Sequence, residues 1–420
     1  MTPFVNGSLN RSFTIRHAMT KLTAFRTLDD LDVKGLRVLL RVDFNVPMQN
    51  GIVTNTQRIT RVLPTIHTLL ERGAKVILLS HLGRPKGKRV AALSLRALLG
   101  PLEAMLKPKT VAFAEDCIGK PAAEIVARLN AGEIALLENL RFHEGEEKND
   151  DAFACELAAL GDLYINDAFS CSHRAHASVE RLAKKLPAAA GPLLEQELST
   201  LEAMLRNPVR PICAIVGGAK VSTKLAILNH LVCKMDSLAI GGAMANTFLL
   251  AQGIEIGKSL AEPDMVEMAT AIQSRAKSSG CRLLLPEDAV IASKLRVGIA
   301  TKTVPIAAVP KEAMILDLGP KTVALLGETL RASKTLVWNG PLGAFEIPPF
   351  DAGTTQAAKV AAALTREGKL VSVGGGGDTI AALHQAGVEN AFSYVSTAGG
   401  AFLDWLGGKD LPGVIALRST

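Results

Sequence analysis

The sequence predicts an α/β protein of two doubly wound parallel-sheet domains joined by a helical hinge. Three observations carry that expectation. From Gly35 onward, short apolar runs rich in Val, Ile and Leu alternate with longer amphipathic stretches, which is the strand-helix rhythm of a parallel sheet. The rhythm runs twice, once before Gly191 and again from Pro211. Between the two series lies Leu193 to Arg206, a run of helix-favouring residues that stops before Asn207-Pro208. A helix transmits orientation where a loop would not, so two lobes hinging about a cleft are expected, each Rossmann-like in its winding.

The elements follow in order. Leu36 to Val42 reads as the first strand, Arg58 to Arg72 as a helix, Ala74 to Ser80 as a strand and Ser94 to Leu106 as a helix. Strands at Thr110 to Ala114, Ile134 to Leu137 and Leu163 to Asn166 follow, separated by helical stretches at Ala122 to Leu129 and Asp151 to Leu160. In the second series Ile212 to Val216 is a strand leading into a glycine loop. Further strands are expected near Ser237 to Ile240, Arg282 to Leu285, Leu336 to Trp338, Lys369 to Val373 and Ala391 to Val395. The expected division is a leader at 1–20, a first domain at 21–191, a connecting helix at 192–207 and a second domain at 208–406, with 407–420 returning to the first. The alanine-rich segment Ala188 to Ala190 is read as part of the connector.

Lys and Arg exceed Asp and Glu by 47 to 40, and Arg11, Arg16, Lys21 and Arg26 sit in a stretch of 28 residues without an acid. The rest is nearly balanced. The only local cluster, Arg84-Lys86-Lys88-Arg89, is too short for a nucleic-acid stripe, so no nucleic-acid partner is expected. The acid-free start faintly resembles a transit peptide but reads as a disordered leader, with Met19 an alternative start. No run approaches the about 18–20 apolar residues of a membrane span. Leu36 to Val46, for example, is broken by Arg37, Arg41 and Asp43. Six cysteines without a CxxC pair suit a reducing cytoplasm. Cys171-Ser-His173-Arg-Ala-His176 contains ligand types, but structural zinc needs four converging ligands and nothing nearby completes the set.

The familiar nucleotide and hydrolase signatures are absent: no G-x-x-x-x-G-K-[ST], no complete G-x-G-x-x-G, no G-x-S-x-G and no H-E-x-x-H. Glycine instead recurs at strand-to-helix turns of the second half, in Gly217-Gly218-Ala219-Lys220, Gly241-Gly242, Gly374-Gly375-Gly376-Gly377-Asp378-Thr379 and Ala398-Gly399-Gly400. Such turns bring backbone N–H groups close to an anion, and a helix N-terminus adds partial positive charge. One cluster need only make a tight turn. Four clusters, two with a charged partner, point to a bound polyphosphate. Lys220 and Lys224, four apart, are expected on one face of the helix that the glycine loop enters. Asp378 stands where a carboxylate would hold a magnesium ion bridging phosphates, or would cap a helix.

The first half carries arginines after its apolar runs: Arg58 beyond the Asp43-Phe-Asn45 turn, Arg84 in His81-Leu-Gly-Arg84-Pro85, Arg141 in Glu138-Asn-Leu-Arg141-Phe142, and Arg174 in His173-Arg174-Ala-His176. A planar guanidinium suits carboxylates and phosphates, and the crevice beyond strand carboxyl ends is where α/β ligands bind. Together these arginines would cradle a small polyanion.

On these residues the chain resembles phosphoglycerate kinase. The resemblance runs from about Leu36 to the C-terminus, through the motifs just quoted together with Arg41-Val-Asp43-Phe-Asn45-Val-Pro47, Asn166-Asp167-Ala-Phe169 and Asn339-Gly-Pro341. It implies that Asp43, Asn45, Arg58, His81, Arg84, Arg141 and Arg174 bind 3-phosphoglycerate, with Arg58 on the carboxylate that receives the phosphoryl group. It implies that Lys220, Lys224, Asn339, Gly376, Gly377, Asp378 and Thr379 hold the nucleotide phosphates and Mg2+, the metal on Asp378. Glu346 would bond the ribose, and Gly241 and Gly242 would flank adenine. Arg58, Lys220 and Lys224 would be the catalytic cations. The implied reaction is reversible transfer between MgATP and 3-phosphoglycerate, giving ADP and 1,3-bisphosphoglycerate, in a cytoplasmic monomer that closes about its hinge.

Some positions depart from the family pattern. Gly374 makes a fourth glycine where an aliphatic residue is usual, Ala398 replaces a glycine, and Asn246 is polar where an apolar or aromatic residue is expected. A kinase for another small acid would keep the glycine lobe and alter the arginine set, which here is complete. A silent scaffold or nucleic-acid binder would have lost the charged residues.

Overall fold

The computed structural model describes residues 25–206, 208–396 and 398–418, so the leader expected at 1–20 lies outside the described residues. Contacts divide the chain into two compact units. One holds 25–168, 174–199 and 412–418, and the other holds 169–173 and 200–411 apart from the undescribed positions. The division falls inside the helix Pro192–Arg206, between Ser199 and Thr200.

The first unit contains β1 (Arg37–Arg41), β2 (Met48–Gln49), β3 (Ile52–Val53), β4 (Lys75–Leu79), β5 (Val111–Ala114), β6 (Ile134–Leu137), β7 (Leu163–Asn166) and β8 (Ala188–Ala190). Six of these form a sheet in the order β5-β6-β4-β1-β7-β8, and every neighbouring pair is parallel. The strands are apolar because both faces are covered. On the helix Gln57–Glu71, Ile59, Val62, Ile66 and Leu69 recur at helical spacing. They join Val38, Leu40, Val76 and Leu78 of the strands in one core.

The second unit repeats the plan with β9 (Ile212–Val216), β10 (Ser237–Ile240), β11 (Arg282–Leu284), β12 (Asp288–Ala292), β13 (Lys302–Pro305), β14 (Met314–Leu318), β15 (Thr335–Asn339), β16 (Val371–Gly375) and β17 (Tyr394–Ser396). Its parallel sheet runs β11-β10-β9-β15-β16-β17. Trp338, 1% exposed, packs among Leu336, Leu383 and Phe392 at its centre. The expected fold class, two doubly wound parallel sheets, is therefore what the chain adopts.

Three features differ from the sequence reading. Ala188–Ala190 is a strand, paired in parallel with β7 at the sheet edge, because three fully buried alanines leave no periodicity to read. The second unit adds a small antiparallel sheet, β13-β12-β14, whose exposed edge strand β13 lacks an apolar face. The hairpin β2–β3 also escaped, although Asn50-Gly51, with φ of 51° and 77°, is the dipeptide that a tight hairpin turn favours.

The start of the Pro192–Arg206 helix is tied to the end of β7. Asp167, 1% exposed, accepts the Leu193 and Leu194 N–H groups at 2.8 and 3.0 Å and the Thr65 hydroxyl at 2.5 Å. Burial pushes its carboxyl upward, and these bonds oppose that. Asp167→Ala leaves two helix N–H groups and a buried hydroxyl unpaired, so a loss of about 2–4 kcal/mol is expected. Urea unfolding measures it, and a loss below about 0.5 kcal/mol would remove Asp167 from this role.

Candidate active site

In the first unit the central strands β6, β4, β1 and β7 lie side by side, and the segments leaving their carboxyl ends hold the expected residues. Asp43 and Asn45 follow β1, His81 and Arg84 follow β4, Arg141 follows β6, and Arg174 follows β7. Arg58 comes from the first turn of the helix Gln57–Glu71, and its guanidinium pairs with the Asp43 carboxylate. Asp43 also accepts the Asn45 N–H at 3.0 Å, and Asn45 Oδ1 accepts the Gly83 N–H at 2.9 Å. Arg141 Nη1 donates to the Gly83 carbonyl at 2.7 Å, and its Nε lies 3.3 Å from Glu147. These loops therefore hold one another, leaving Arg84 exposed and Arg174 half-buried.

His81 shows that the cations converge. It is 3% exposed, and burial pushes its pKa well below the usual histidine value, helped by Arg41, Arg141, Arg174 and His176. Arg41 Nη2 lies 3.1 Å from His81 Nδ1. Arginine only donates, so Nδ1 accepts and the neutral ring keeps its proton on Nε2. A neutral donor amid several cations suits an anionic ligand.

Sequence reasoning missed Arg41 as part of this site. It is 1% exposed, and its Nε donates to Ser178 Oγ at 2.9 Å. The Ser178 hydroxyl and N–H in turn donate to the Glu146 carboxylate at 2.7 and 2.9 Å. An arginine inside an apolar strand was the available signal, since burying that charge needs partners. Ser178 and Glu146 carried no comparable mark.

In the second unit β10, β9, β15 and β16 are adjacent, and their carboxyl ends lead into Gly241-Gly242, Gly217 to Lys224, Asn339 to Glu346, and Gly376 to Thr379. Asn339 Nδ2 donates to the Gly375 carbonyl at 2.7 Å. Thr379 Oγ1 donates to the same carbonyl at 2.8 Å and accepts the Gly340 N–H at 2.7 Å. Gly242 begins the helix Ala243–Ala251 at φ 68°, where a Cβ would stand 2.6 Å from the Gly218 carbonyl oxygen, so a side chain there would part the two loops. Gly377 and Asp378 are exposed in the first turn of the helix Gly377–Gln385, with Gly376 at its cap. Asp378 is therefore not the cap. Glu346 is exposed between β15 and the helix Ala352–Arg366.

The two lysines do not share a helix face, because the helix begins only at Leu225 and residues 220–224 form a turn. Thr223 donates from Oγ1 to the Lys220 carbonyl at 2.9 Å, and Ser222 is bonded to Glu262, which fixes this turn in place of a helical one. Lys220 is exposed. Lys224 folds back, donating from Nζ to the Gly217 carbonyl at 2.5 Å, Asn339 Oδ1 at 2.6 Å and the Asn339 carbonyl at 3.2 Å. Burial pushes the Lys224 ammonium down to about 8, with the Asp378 charge opposing. Asn246, 1% exposed, donates to the Leu260 carbonyl at 2.9 Å, so this polar residue holds a neighbouring segment.

A cation could be held at the exposed Asp378 carboxylate. A grouping of ligand types within the first unit, Asp116, Cys117 and His143, is already balanced. His143 Nε2 lies 2.6 Å from Asp116 Oδ1, Arg89 lies 3.2 Å from Asp116 Oδ2, and burial holds the Cys117 thiol well above its ordinary range. No helix among the described residues is long and apolar enough to cross a membrane.

Known proteins resemble this chain along nearly its whole length. The family model for phosphoglycerate kinase matches residues 28–409. The chain is 58% identical over 393 residues to the phosphoglycerate kinase of Cereibacter sphaeroides strain KD131, covering 94% of this chain and 99% of the relative. It is 59% identical over 395 residues to that of Sinorhizobium fredii, with the same coverage. Among solved structures, phosphoglycerate kinase from Coxiella burnetii superposes with a TM-score of 0.87 at 40% identity, covering 94% of this chain and 99% of that one. The enzyme from Pyrococcus horikoshii gives 0.79 at 30%, covering 94% and 98%. Matched along nearly its whole described length, with both sheets and their loop clusters in place, the chain belongs to the phosphoglycerate kinase family and is a phosphotransferase of glycolysis.

Proposed function

We propose that the chain transfers a phosphoryl group reversibly between MgATP and the carboxylate of 3-phosphoglycerate, giving ADP and 1,3-bisphosphoglycerate, by direct in-line displacement. The observation that carries this reading is the pair of loop clusters, one rich in arginine and one in glycine, each at the carboxyl ends of four adjacent parallel strands. In the first, Asp43, Asn45, Arg58, His81, Arg84, Arg141 and Arg174 receive 3-phosphoglycerate, and Arg58 faces the accepting carboxylate. In the second, Lys220, Lys224, Asn339, Gly376, Gly377, Asp378 and Thr379 take the phosphates, Glu346 the ribose, and Gly241 and Gly242 flank adenine.

The acceptor carboxylate is ionised at neutral pH, so no general base is needed. Catalysis then rests on positioning and charge neutralisation. Arg58, Lys220 and Lys224 supply that charge. Asp378 would hold Mg2+, which would supply positive charge to offset that of the nucleotide phosphates. Exposed in the first turn of a helix, with Lys224 within its field, the Asp378 carboxylate has the charge and access this requires. Because the two residue sets belong to different units, transfer requires closure about the Pro192–Arg206 helix, which also excludes water that would hydrolyse the acyl phosphate. A cytoplasmic monomer completes the reading, and the six free cysteines suit that compartment.

The test is a Mg2+-dependent assay with ATP and 3-phosphoglycerate, trapping the acyl phosphate as hydroxamate, with glycerate and acetate as controls. Hydroxamate is expected only from 3-phosphoglycerate. Equal yields from glycerate would contradict the arginine assignment, and no product from any acid despite MgADP binding would contradict the transfer itself.

A further inference from the structure

The turn that carries Lys220 is fastened from outside by one carboxylate. The Ser222 N–H donates to Glu262 Oε2 at 3.0 Å and the Ser222 hydroxyl to Oε1 at 2.5 Å. The Val221 backbone and the Lys220 ammonium also favour the charged form of the same carboxylate. Burial of the Glu262 carboxyl opposes its ionisation, but the Ser222 and Val221 bonds and the Lys220 charge outweigh this and hold it below its ordinary range. A carboxylate that takes both the backbone N–H and the hydroxyl of one residue, one on each oxygen, defines a turn more tightly than a single bond does.

Glu262 is itself anchored to the helix Ala243–Ala251, which begins at Gly242. Its N–H donates to Thr247 Oγ1 at 3.0 Å, and one residue earlier on that helix Asn246 holds the Leu260 carbonyl at 2.9 Å. Thr247 and Asn246 are buried, so the anchor is fixed by packing. A continuous path therefore runs from the helix after one glycine cluster, through Glu262, to the turn after another. Within the turn the Lys224 N–H donates to the Val221 carbonyl at 2.9 Å, Thr223 Oγ1 donates to the Lys220 carbonyl at 2.9 Å and Val221 is buried, but Glu262 is what ties it to the neighbouring helix.

We propose that Glu262 is a positioning residue of the nucleotide half-site, fixing the 221–224 turn so that Lys220 is presented to the polyphosphate. This rests on the assignment of Lys220 made above. Glu262 touches no reacting atom, and its effect travels through the turn.

The experiment uses the full-length chain with Glu262→Ala, Glu262→Gln, Lys220→Ala and the double variant Glu262→Ala/Lys220→Ala. It measures kcat, KM for ATP and KM for 3-phosphoglycerate, together with the unfolding midpoint. Glu262→Ala is expected to lower kcat/KM for ATP about tenfold while moving KM for 3-phosphoglycerate less than about twofold. Glu262→Gln keeps one acceptor oxygen and is expected to recover about half of that loss on a logarithmic scale. In the Lys220→Ala background, Glu262→Ala is expected to add less than about twofold, because its route is already cut. A tenfold further loss there would overturn the proposal, as would a fall in kcat/KM for both substrates that tracks the unfolding midpoint through the series. If Lys220→Ala alone left kcat/KM for ATP unchanged, the Lys220 assignment would fail. If Lys220→Ala were impaired but Glu262→Ala and Glu262→Gln were not, only the positioning role would fail.

Discussion

Arg58→Ala is expected to lower turnover by about three orders of magnitude while changing MgADP affinity by less than about twofold. The asymmetry follows from location. Arg58 lies in the first unit, on the first turn of a helix whose N-terminal end is already partially positive, and its guanidinium is neutralised by Asp43. Removing it deletes the cation nearest the proposed acceptor carboxylate and takes from Asp43 the positive charge it pairs with, so the vacated space becomes more negative where an anion should bind. KM for 3-phosphoglycerate is therefore expected to rise as well. Arg58→Lys should restore only part of the activity, because an ammonium offers a point charge where a guanidinium offers a planar fork. Steady-state kinetics and calorimetry with MgADP check this, and comparable losses in turnover and MgADP binding would contradict the role given to Arg58.

Lys224→Met is expected to lower kcat/KM for ATP about a hundredfold and also to change the pH profile. Burial places the Lys224 ammonium near 8, so its charge is full below that pH and is lost as pH rises through it. The charged form is the one that meets phosphate. In the wild-type chain kcat/KM for ATP should therefore fall above about pH 8, and Lys224→Met should flatten that limb. Asp378 is the group that raises the Lys224 value, so Asp378→Asn should move the limb to lower pH. A limb unchanged in Lys224→Met would assign it to another group.

How much of this was legible in the sequence depends on how far each signal reaches along the chain. Local apolar runs such as Ile134–Leu137 and Ile212–Val216 announce their strands because a parallel strand covered on both faces must be continuously apolar. Glycines at Gly241-Gly242 and Gly376-Gly377 announce strand-to-helix turns for a similarly local reason. Ala188–Ala190 did not, since its pairing with β7 is decided by a partner more than twenty residues away and alanine carries little strand preference.

The polar architecture was less readable. The spacing of Lys220 and Lys224 suggested a shared helix face, yet Glu262, forty residues on, takes the N–H of Ser222 and the segment becomes a turn. Arg41 was visible as a charge within an apolar strand, but its partner Ser178 lies 137 residues away, and Glu146 a further link beyond. Long-range bonds of this kind leave no periodicity, so only the folded chain displays them.

In the proposed enzyme the two half-sites are separate, with the anion cradle in the first unit and the nucleotide loops in the second. Calorimetric titration of 3-phosphoglycerate and of MgADP, each alone, into the wild-type chain, Arg58→Ala and Lys224→Met tests it most directly. Arg58→Ala is expected to lose 3-phosphoglycerate binding and keep MgADP binding, and Lys224→Met to do the reverse. Loss of both ligands in either variant, with an unchanged unfolding midpoint, would contradict it.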